Sequence, residues 1–271
     1  MAYLGYQIYS AREEAQKDLY GVLKALKTMG YDGVELAGLY GLEPKAVRKM
    51  LDDAALTAIS AHVPLKEIEQ DMFKTISDYL TIGVKYIAIP HTDELRRPGG
   101  DGFASTINTI YRFGALCRSA GIQLLYHNHD FEFVKIGNLY GLDFLYAATD
   151  SDILKTEIDT CWVKYAGEDP AAYLLKYTGR CPVVHLKDYV GIKSQKSPYA
   201  LLGEKDKGAQ ANEAAFEFKP LGSGCQDVKA LVKAGLEAGA EWFIVEQDLS
   251  LDRPPLEAAQ MSIECLKKAL K

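Results

Sequence analysis

The side chains best suited to chemistry in this sequence stand together in residues 124–133, which read LLYHNHDFEF. The apolar residues that open this stretch predict a short buried strand. Four polar side chains of the kind that bind metal ions or exchange protons follow directly: His127, His129, Asp130 and Glu132. The other three of the five histidines also end short apolar runs: His62, His91 and His185. This recurrence predicts that the histidines converge on one site where the strands end.

Three carboxylates and one imidazole at four strand ends are the side chains that we expect to hold a cation: Glu132, Asp159, His185 and Glu246. This set suits a hard divalent ion such as Mn²⁺, Mg²⁺ or Co²⁺ with positions left open for a substrate. Taken singly, each residue has an ordinary explanation as a helix cap, an ion-pair partner or a core histidine. We assign the inward-facing position on its strand to Asp159 and expect Glu157 to face the helix layer.

Strands and helices alternate along the whole chain. Apolar runs predict strands at residues 4–9, 33–36, 56–62, 86–90, 122–127, 154–158, 183–186 and 242–245. Helical spacing predicts helices at residues 11–29, 44–54, 65–82, 104–118, 142–148, 171–177, 228–238 and 256–270. Eight such units predict a (β/α)₈ TIM barrel, whose active site lies where the strands end. A doubly wound open sheet is the alternative, and the count of eight favours the barrel.

The length and composition are consistent with one domain over residues 1–271 and exclude several function classes. A net charge of -6 with a pI near 5.5 argues against binding to a nucleic-acid backbone. We expect no membrane segment, and five scattered cysteines predict reduced thiols in a cytoplasmic protein. Residues 190–224 form one long irregular stretch of the kind that often makes a lid.

Five ordered motifs resemble the xylose isomerase-like TIM-barrel superfamily of sugar isomerases and epimerases. They span Tyr126 to Glu132, Glu157 to Gly167, Val184 to Asp188, Pro220 to Gly224 and Ile244 to Glu246. The likeness covers nearly the whole chain. Members of this superfamily include sugar epimerases, inosose and dehydroshikimate dehydratases, 3-keto-glycoside lyases and abasic-site endonucleases, so the resemblance defines the site better than the substrate.

The resemblance implies one divalent ion, Mn²⁺ first and Mg²⁺, Co²⁺ or Zn²⁺ as alternatives, held by the four residues named above. In much of the superfamily the first carboxylate lies at the strand end itself, where this chain has His127. Either Glu132 folds back to the metal, which we prefer, or a histidine replaces it. We expect the chain to act on a small sugar, keto sugar or sugar phosphate, and a homo-oligomer is a family expectation.

The implied chemistry is the removal of a proton next to a carbonyl. The metal stabilises an enediolate while Glu132 and Glu246 take and return the proton, which gives isomerisation or epimerisation. If a β-hydroxyl leaves instead, the same intermediate gives a dehydratase or lyase of the inosose dehydratase or 3-keto-glycoside lyase type. A non-catalytic sugar-binding barrel is the third hypothesis.

Seven further residues are expected to line a substrate pocket: His62, His91, His127, His129, Trp162, Lys187 and Asp188. Trp162 stands where endonuclease relatives carry a histidine, so a trinuclear zinc site and DNA cleavage are not expected. Ordinary core packing is the alternative for Trp162. For Lys187 and Asp188, the alternative is a solvated pair at the rim.

Overall fold

The structure is a computed structural model that describes residues 2–191 and 216–271. Its twelve described strands are β1 (Tyr3–Gln7), β2 (Gly33–Ala37), β3 (Thr57–His62), β4 (Tyr86–Ile89), β5 (Gln123–His127), β6 (Lys135–Ile136), β7 (Leu139–Tyr140), β8 (Leu154–Asp159), β9 (Val183–Leu186), β10 (Asp188–Val190), β11 (Glu217–Lys219) and β12 (Trp242–Val245). Eight of them close into a parallel barrel in the order β1-β2-β3-β4-β5-β8-β9-β12. The predicted TIM barrel is confirmed.

Ten described α-helices surround the barrel: α1 (Arg12–Met29), α2 (Pro44–Asp53), α3 (Leu65–Gln70), α4 (Met72–Ile82), α5 (Phe103–Ser119), α6 (Gly141–Ala147), α7 (Thr160–Ala166), α8 (Pro170–Lys176), α9 (Val228–Ala238) and α10 (Pro255–Ala269). Short 3₁₀ turns lie at Ile8–Ala11, Glu94–Arg96 and Phe131–Phe133. Within the described ranges, every helix is too short or too polar to cross a membrane.

The single helix predicted at residues 65–82 is wrong, because the chain forms two helices there. Asp71 breaks the helix with an extended backbone (φ -161°), and its side chain accepts a hydrogen bond from the Lys74 N–H. An aspartate in this position satisfies an unpaired N–H group at the start of the next helix. Helix α7 was not predicted and follows β8 directly, with Asp159 as its N-cap.

The inside of the barrel is apolar at the end where the strands begin. One buried cluster, which we call the barrel floor, consists of Ile59, Tyr86, Ala88, Leu125, Val183, Trp242 and Ile244. Alternate residues of a strand share a face, so the next inward positions above this floor include His127, His185 and Glu246. The strands therefore change from apolar to ionisable within two residues.

Two short antiparallel ribbons of the described chain, β6 with β7 and β10 with β11, lie at the carboxyl end of the barrel strands. The predicted lid at residues 190–224 falls mostly on residues 192–215, which lie outside the described residues. The described parts next to it are the ribbon strands β10 and β11, in which Asp188 pairs with Lys219 and Val190 with Glu217.

Candidate active site

A cavity of about 460 Å³ opens at the carboxyl end of the barrel. Six of the predicted site residues line it: His62, His91, His127, His129, Lys187 and Glu246. Sequence reasoning missed three other polar residues that line it: Tyr9, Glu67 and Asp248. Asp248 had a readable signal, because it follows Glu246 by two positions and so falls on the same face of an extended chain.

Four residues, which we call the outer cluster, place their ligand atoms within 4.8 Å of one another: His127, Asp159, His185 and Glu246. His127 and Glu246 line the cavity, whereas Asp159 and His185 are fully buried and contact the cavity residues Lys187 and Glu246. The Asp159 Oδ1 caps helix α7 by accepting hydrogen bonds from the N–H groups of Cys161 (2.8 Å) and Trp162 (3.1 Å). This cap turns the other oxygen, Oδ2, toward the barrel interior. The structure thus brings together three of the four predicted metal ligands, with His127 beside them.

Lys187 is buried among three carboxylates. Its Nζ lies 3.0 Å from Asp159 Oδ2, 2.9 Å from Glu246 Oε2 and 3.0 Å from Asp248 Oδ1. Burial alone would lower the pKa of this ammonium group, but the surrounding carboxylates hold the pKa well above its ordinary value. Lys187 is therefore a fixed positive charge at the cavity wall, and not a solvated pair at the rim with Asp188.

The two carboxylates that follow β12 differ in their protonation. Burial would raise the pKa of Glu246, but Lys187 and His185 hold that pKa below its ordinary value, so Glu246 is ionised. Burial raises the pKa of Asp248 to about 7, although Lys187 opposes the shift. A cavity residue that is ionised and a neighbour that titrates near neutrality form a pair suited to moving a proton.

A second group of ionisable residues lies beneath the first, and we call Glu35, His62 and Glu157 the inner cluster. The His62 Nε2 lies 3.1 Å from Glu35 Oε2 and 2.9 Å from Glu157 Oε2. Glu35 and Glu157 are fully buried. Burial lowers the pKa of His62, but the two carboxylates raise it to about 10.

The expectation that Glu157 faces the helix layer is wrong. Glu157 and Asp159 are two positions apart in β8, so both point into the barrel, as strand geometry requires. Glu157 Oε2 lies 3.3 Å from His127 Nδ1. Sequence reasoning also left Glu35 without a role, although a carboxylate inside the short strand β2 was a signal of an inward polar site.

Glu132 does not reach the predicted metal site, which corrects the preferred assignment. It lies in the 3₁₀ turn Phe131–Phe133, where its Oε1 accepts a hydrogen bond from the Tyr126 hydroxyl (2.7 Å) and its Oε2 from the His129 N–H (2.8 Å). Burial raises its pKa to about 8 despite these two hydrogen bonds. The geometry instead places His127, the alternative, next to Asp159 and His185.

His127 and His129 are buried imidazoles whose neutral form is favoured. Burial lowers the pKa of His127 well below its ordinary value, and the positive charges of His185 and His62 lower it further. Burial likewise lowers the pKa of His129, with His91 adding to the effect. A neutral imidazole is the form that binds a metal ion or accepts a proton.

The predicted contact of Asp188 with substrate is not seen, because its carboxylate accepts hydrogen bonds from backbone N–H groups. It accepts hydrogen bonds from the N–H groups of Gly222 (2.9 Å), Gly224 (3.0 Å) and Gln226 (3.1 Å). A side chain at Gly224 would approach Asp188 Oδ1 to 2.3 Å, so this turn requires glycine. Asp188 therefore holds the segment after β11 against the barrel.

Trp162 packs in the core and does not line the cavity, which agrees with the alternative considered for it. It is fully buried among aromatic residues that include Phe216 and Phe218. Its ring also lies 5.3 Å from both the Lys187 ammonium and the His129 ring. Trp162 thus packs in the core directly behind two side chains that line the cavity.

The donor chemistry of the outer cluster fits a divalent cation. Two carboxylates and two imidazoles lie on rigid strand ends with ligand atoms close enough to share one ion. Mixed nitrogen and oxygen donors of this kind suit Zn²⁺, Mn²⁺ and Co²⁺. The neighbouring carboxylates raise the pKa of His185, with Glu246 and Glu35 in contact with its ring. A cation bound at this site would displace a proton from His185 and take over its positive charge.

Comparisons with known proteins agree with this architecture. The xylose isomerase-like TIM-barrel family profile matches residues 23–269. Inosose dehydratase from Geobacillus kaustophilus is 24% identical over 258 residues, which cover 86% of this chain and 82% of that protein. A sugar phosphate isomerase/epimerase from Parabacteroides distasonis superimposes with a TM-score of 0.79 at 21% identity, covering 100% of this chain and 96% of the other.

The zinc-bound structure of the IOLI protein is also similar, with a TM-score of 0.70 at 13% identity, covering 99% of this chain and 98% of the other. At these identities the two solved structures show a shared fold. The family profile covers most of the chain, and this match shows family membership in addition to a shared fold. The chain belongs to the xylose isomerase-like TIM-barrel family.

Proposed function

We propose that this chain is a divalent-metal-dependent enzyme that moves a proton at the carbon next to the carbonyl of a small keto sugar or keto cyclitol, with isomerisation or epimerisation as the outcome. The observation that carries the proposal is the convergence of Asp159, His185 and Glu246, of which Glu246 lines the cavity and the other two are buried next to cavity residues. The family to which the chain belongs, and relatives named as sugar phosphate isomerase/epimerase, support it.

Asp159, His185 and Glu246 would hold the ion, with His127 beside them. When bound, a divalent cation supplies a Lewis acid that polarises a carbonyl and stabilises negative charge on its oxygen. Lys187 contributes a further positive charge to the same side of the cavity, where its ion pair with Asp248 does not involve a proposed metal ligand. Burial of these charged side chains strengthens their electrostatic interactions.

Three cavity carboxylates take the place of the predicted pair Glu132 and Glu246 in moving the proton. Glu246 is ionised and accepts the proton from carbon. Asp248, whose pKa lies near neutrality, returns a proton on the same side, as an isomerisation requires. Glu67 lines the cavity after β3, three strands away from β12 around the barrel, and would return it from another direction in an epimerisation.

Dehydration is the second candidate, and the similarity to inosose dehydratase over most of the chain favours it. The same proton removal applies, followed by the departure of a β-hydroxyl group. Lys187 and Asp248 hold protons at the cavity wall and would protonate that leaving group. This outcome differs from isomerisation only after the first step.

The test is solvent proton exchange, measured by NMR and mass spectrometry in D₂O with an inosose and a ketopentose as probes. Chain loaded with Zn²⁺ or Mg²⁺ is expected to exchange the carbon-bound proton next to the carbonyl. Deuterium incorporation without loss of mass composition supports an isomerase or epimerase. Loss of water from the inosose supports the dehydratase.

Glu246→Gln and Asp159→Asn are expected to abolish the exchange. Glu241→Gln is the matched control, because Glu241 is a surface carboxylate paired with Lys85 at the opposite end of the barrel. Metal-loaded wild-type chain that neither exchanges nor dehydrates either probe would contradict the proposal, as would exchange that survives both cavity substitutions.

A further inference from the structure

The outer and inner clusters meet at two histidines that face both ways. His185 directs Nδ1 toward Glu246 Oε2 (2.9 Å) and Nε2 toward Glu35 Oε2 (2.7 Å). His127 directs Nε2 toward Asp159 Oδ2 (3.6 Å) and Nδ1 toward Glu157 Oε2 (3.3 Å). Each imidazole thus offers one nitrogen to each cluster and separates two sets of ligand atoms.

The inner cluster has the donor set of a metal site in its own right. The ligand atoms of His62, His127, Glu157 and His185 lie within 4.8 Å of one another, and all four residues are buried. Glu35 adjoins the group, 3.1 Å from His62 Nε2. Among residues 2–191 and 216–271, no hydrogen-bond partner is found for three buried atoms of this region: Glu35 Oε1, His127 Nδ1 and Glu157 Oε1. Buried polar atoms without partners are rare and call for a ligand or another explanation.

The charge of the buried carboxylates also favours a bound cation in the inner cluster. Glu35 and Glu157 are fully buried carboxylates, and in the described parts of the chain their ion pairs are made only with histidines. Lys187, the buried lysine of the site, pairs with the outer carboxylates. One divalent cation would balance the charge of these two buried carboxylates.

We propose that the inner cluster binds a second divalent cation through Glu35, His62, Glu157 and the Nδ1 of His127, beneath the ion of the outer cluster. Only the outer ion rests on the proposed function. The inner ion is inferred from the residues of the inner cluster. The inner ion has four protein donors, as in closed structural sites. The outer ion keeps Asp159, Glu246 and the Nδ1 of His185, which leaves room for substrate.

The two shared histidines fit this division. If His185 binds the outer ion through Nδ1, its Nε2–H donates to Glu35. If His127 binds the inner ion through Nδ1, its Nε2–H faces Asp159. A metal-bound histidine commonly donates its other ring N–H to a carboxylate, which fixes its orientation. Each ion would therefore orient a ligand of the other, and the inner ion would hold the base of the active site in place.

The experiment measures bound metal per chain after loading with Zn²⁺ or Co²⁺ and removal of free ions, with Co²⁺ absorption spectra as a second readout. The variants are Glu157→Gln and His62→Gln for the inner cluster, Asp159→Asn for the outer cluster, and Glu241→Gln as the surface control. We expect two ions per chain in wild type and in the control, and one ion in each cluster variant. The Co²⁺ spectrum that remains should differ between the inner and outer variants. His62→Gln decides the result if Glu157→Gln does not fold.

The outcomes separate the two proposals. One ion in wild type that is lost in Asp159→Asn and retained in the inner variants would overturn the inner site and leave the proposed function intact. One ion lost in the inner variants and retained in Asp159→Asn would support the inner site and remove the outer ion on which the proposed function depends. Absence of bound metal in wild type would overturn both.

Discussion

At the end of the barrel where the strands begin, Trp242 packs on Tyr3 with ring centroids 4.9 Å apart, and the ion pair there, Lys85 with Glu241, is half exposed. At the other end, ionisable side chains are buried and face one another. The same strands lead from one end to the other: β12 runs from Trp242 to Val245 and is followed by Glu246, and β9 runs from Val183 to Leu186 and is followed by Lys187.

This difference has an energetic meaning. The apolar floor stabilises the fold, since burial of apolar area is the main favourable term in folding. Buried charges at the other end lose hydration, and the interactions among them recover only part of that loss. A barrel end that concentrates buried carboxylates, imidazoles and a lysine is therefore expected to serve function more than stability.

The largest effect should come from the outer cluster. Asp159→Asn and Glu246→Gln should each lower the rate of substrate proton exchange roughly 10³-fold or more, because each removes negative charge from the centre that binds the ion and takes the proton. Initial rates with the metal-loaded proteins measure this effect. Retained exchange in Asp159→Asn would show that the carboxylate is only a helix cap.

The floor should show the opposite response. Trp242→Ala should lower the free energy of unfolding by roughly 3–5 kcal/mol, because it leaves a cavity under the barrel. Its exchange rate per folded molecule should match that of wild type, since Trp242 does not line the active-site cavity. Urea unfolding and exchange assays on the same preparation check both values, and a large loss of activity in the folded variant would contradict the separation of the two ends.

Glu132 should make the free energy of unfolding depend on pH. Its pKa of about 8 in the folded protein lies above the ordinary value of 4.5, so between these values only the unfolded chain releases the proton. This single group therefore lowers the free energy of unfolding by roughly 1.4 kcal/mol for each pH unit gained across that window.

Glu132→Gln resembles the protonated acid, since its carbonyl can accept from the His129 N–H and its amide can donate to the Tyr126 oxygen. The variant should lose this contribution and gain stability relative to wild type as the pH rises from 5 to 8. Parallel melting curves across that range measure it. An unchanged slope would mean that the carboxylate is already ionised in the folded protein.

The smallest effect is expected at the surface pair. Lys85 and Glu241 are half exposed, so Glu241→Gln should change the free energy of unfolding by roughly 0.2–1 kcal/mol and leave proton exchange unchanged. A larger loss would show that the apolar end of the barrel depends on this ion pair. Thermal melts at low and high salt distinguish the two cases.

The strands were predictable because a strand buried on both faces reads as a short apolar run. Helix ends were harder to predict where they depend on one side chain. Asp71, for example, divides the predicted helix at residues 65–82 into two. The position of helix α7 was missed for a related reason, because Thr160–Ala166 follows its strand without a connecting loop.

The site was predictable where a residue lies inside a strand and less so where it lies beyond one. The positions of His185 and Glu246 follow from strand alternation, and so should those of Glu157 and Asp159, to which opposite faces were wrongly assigned. Glu132 lies in a turn, where only tertiary contacts with Tyr126 and the His129 N–H determine its direction. The pairing of Glu35 with His185 joins residues 150 positions apart, which no local pattern reports.

The most direct test of the central claim is a crystal structure of the Zn²⁺-loaded protein, with anomalous difference maps collected on both sides of the zinc edge. The proposed function predicts an anomalous peak within bonding distance of Asp159, His185 and Glu246, with Lys187 displaced from at least one of its carboxylate partners. A map without a peak there, with Lys187 still in contact with Asp159 and Glu246, would contradict a metal-dependent site at this end of the barrel.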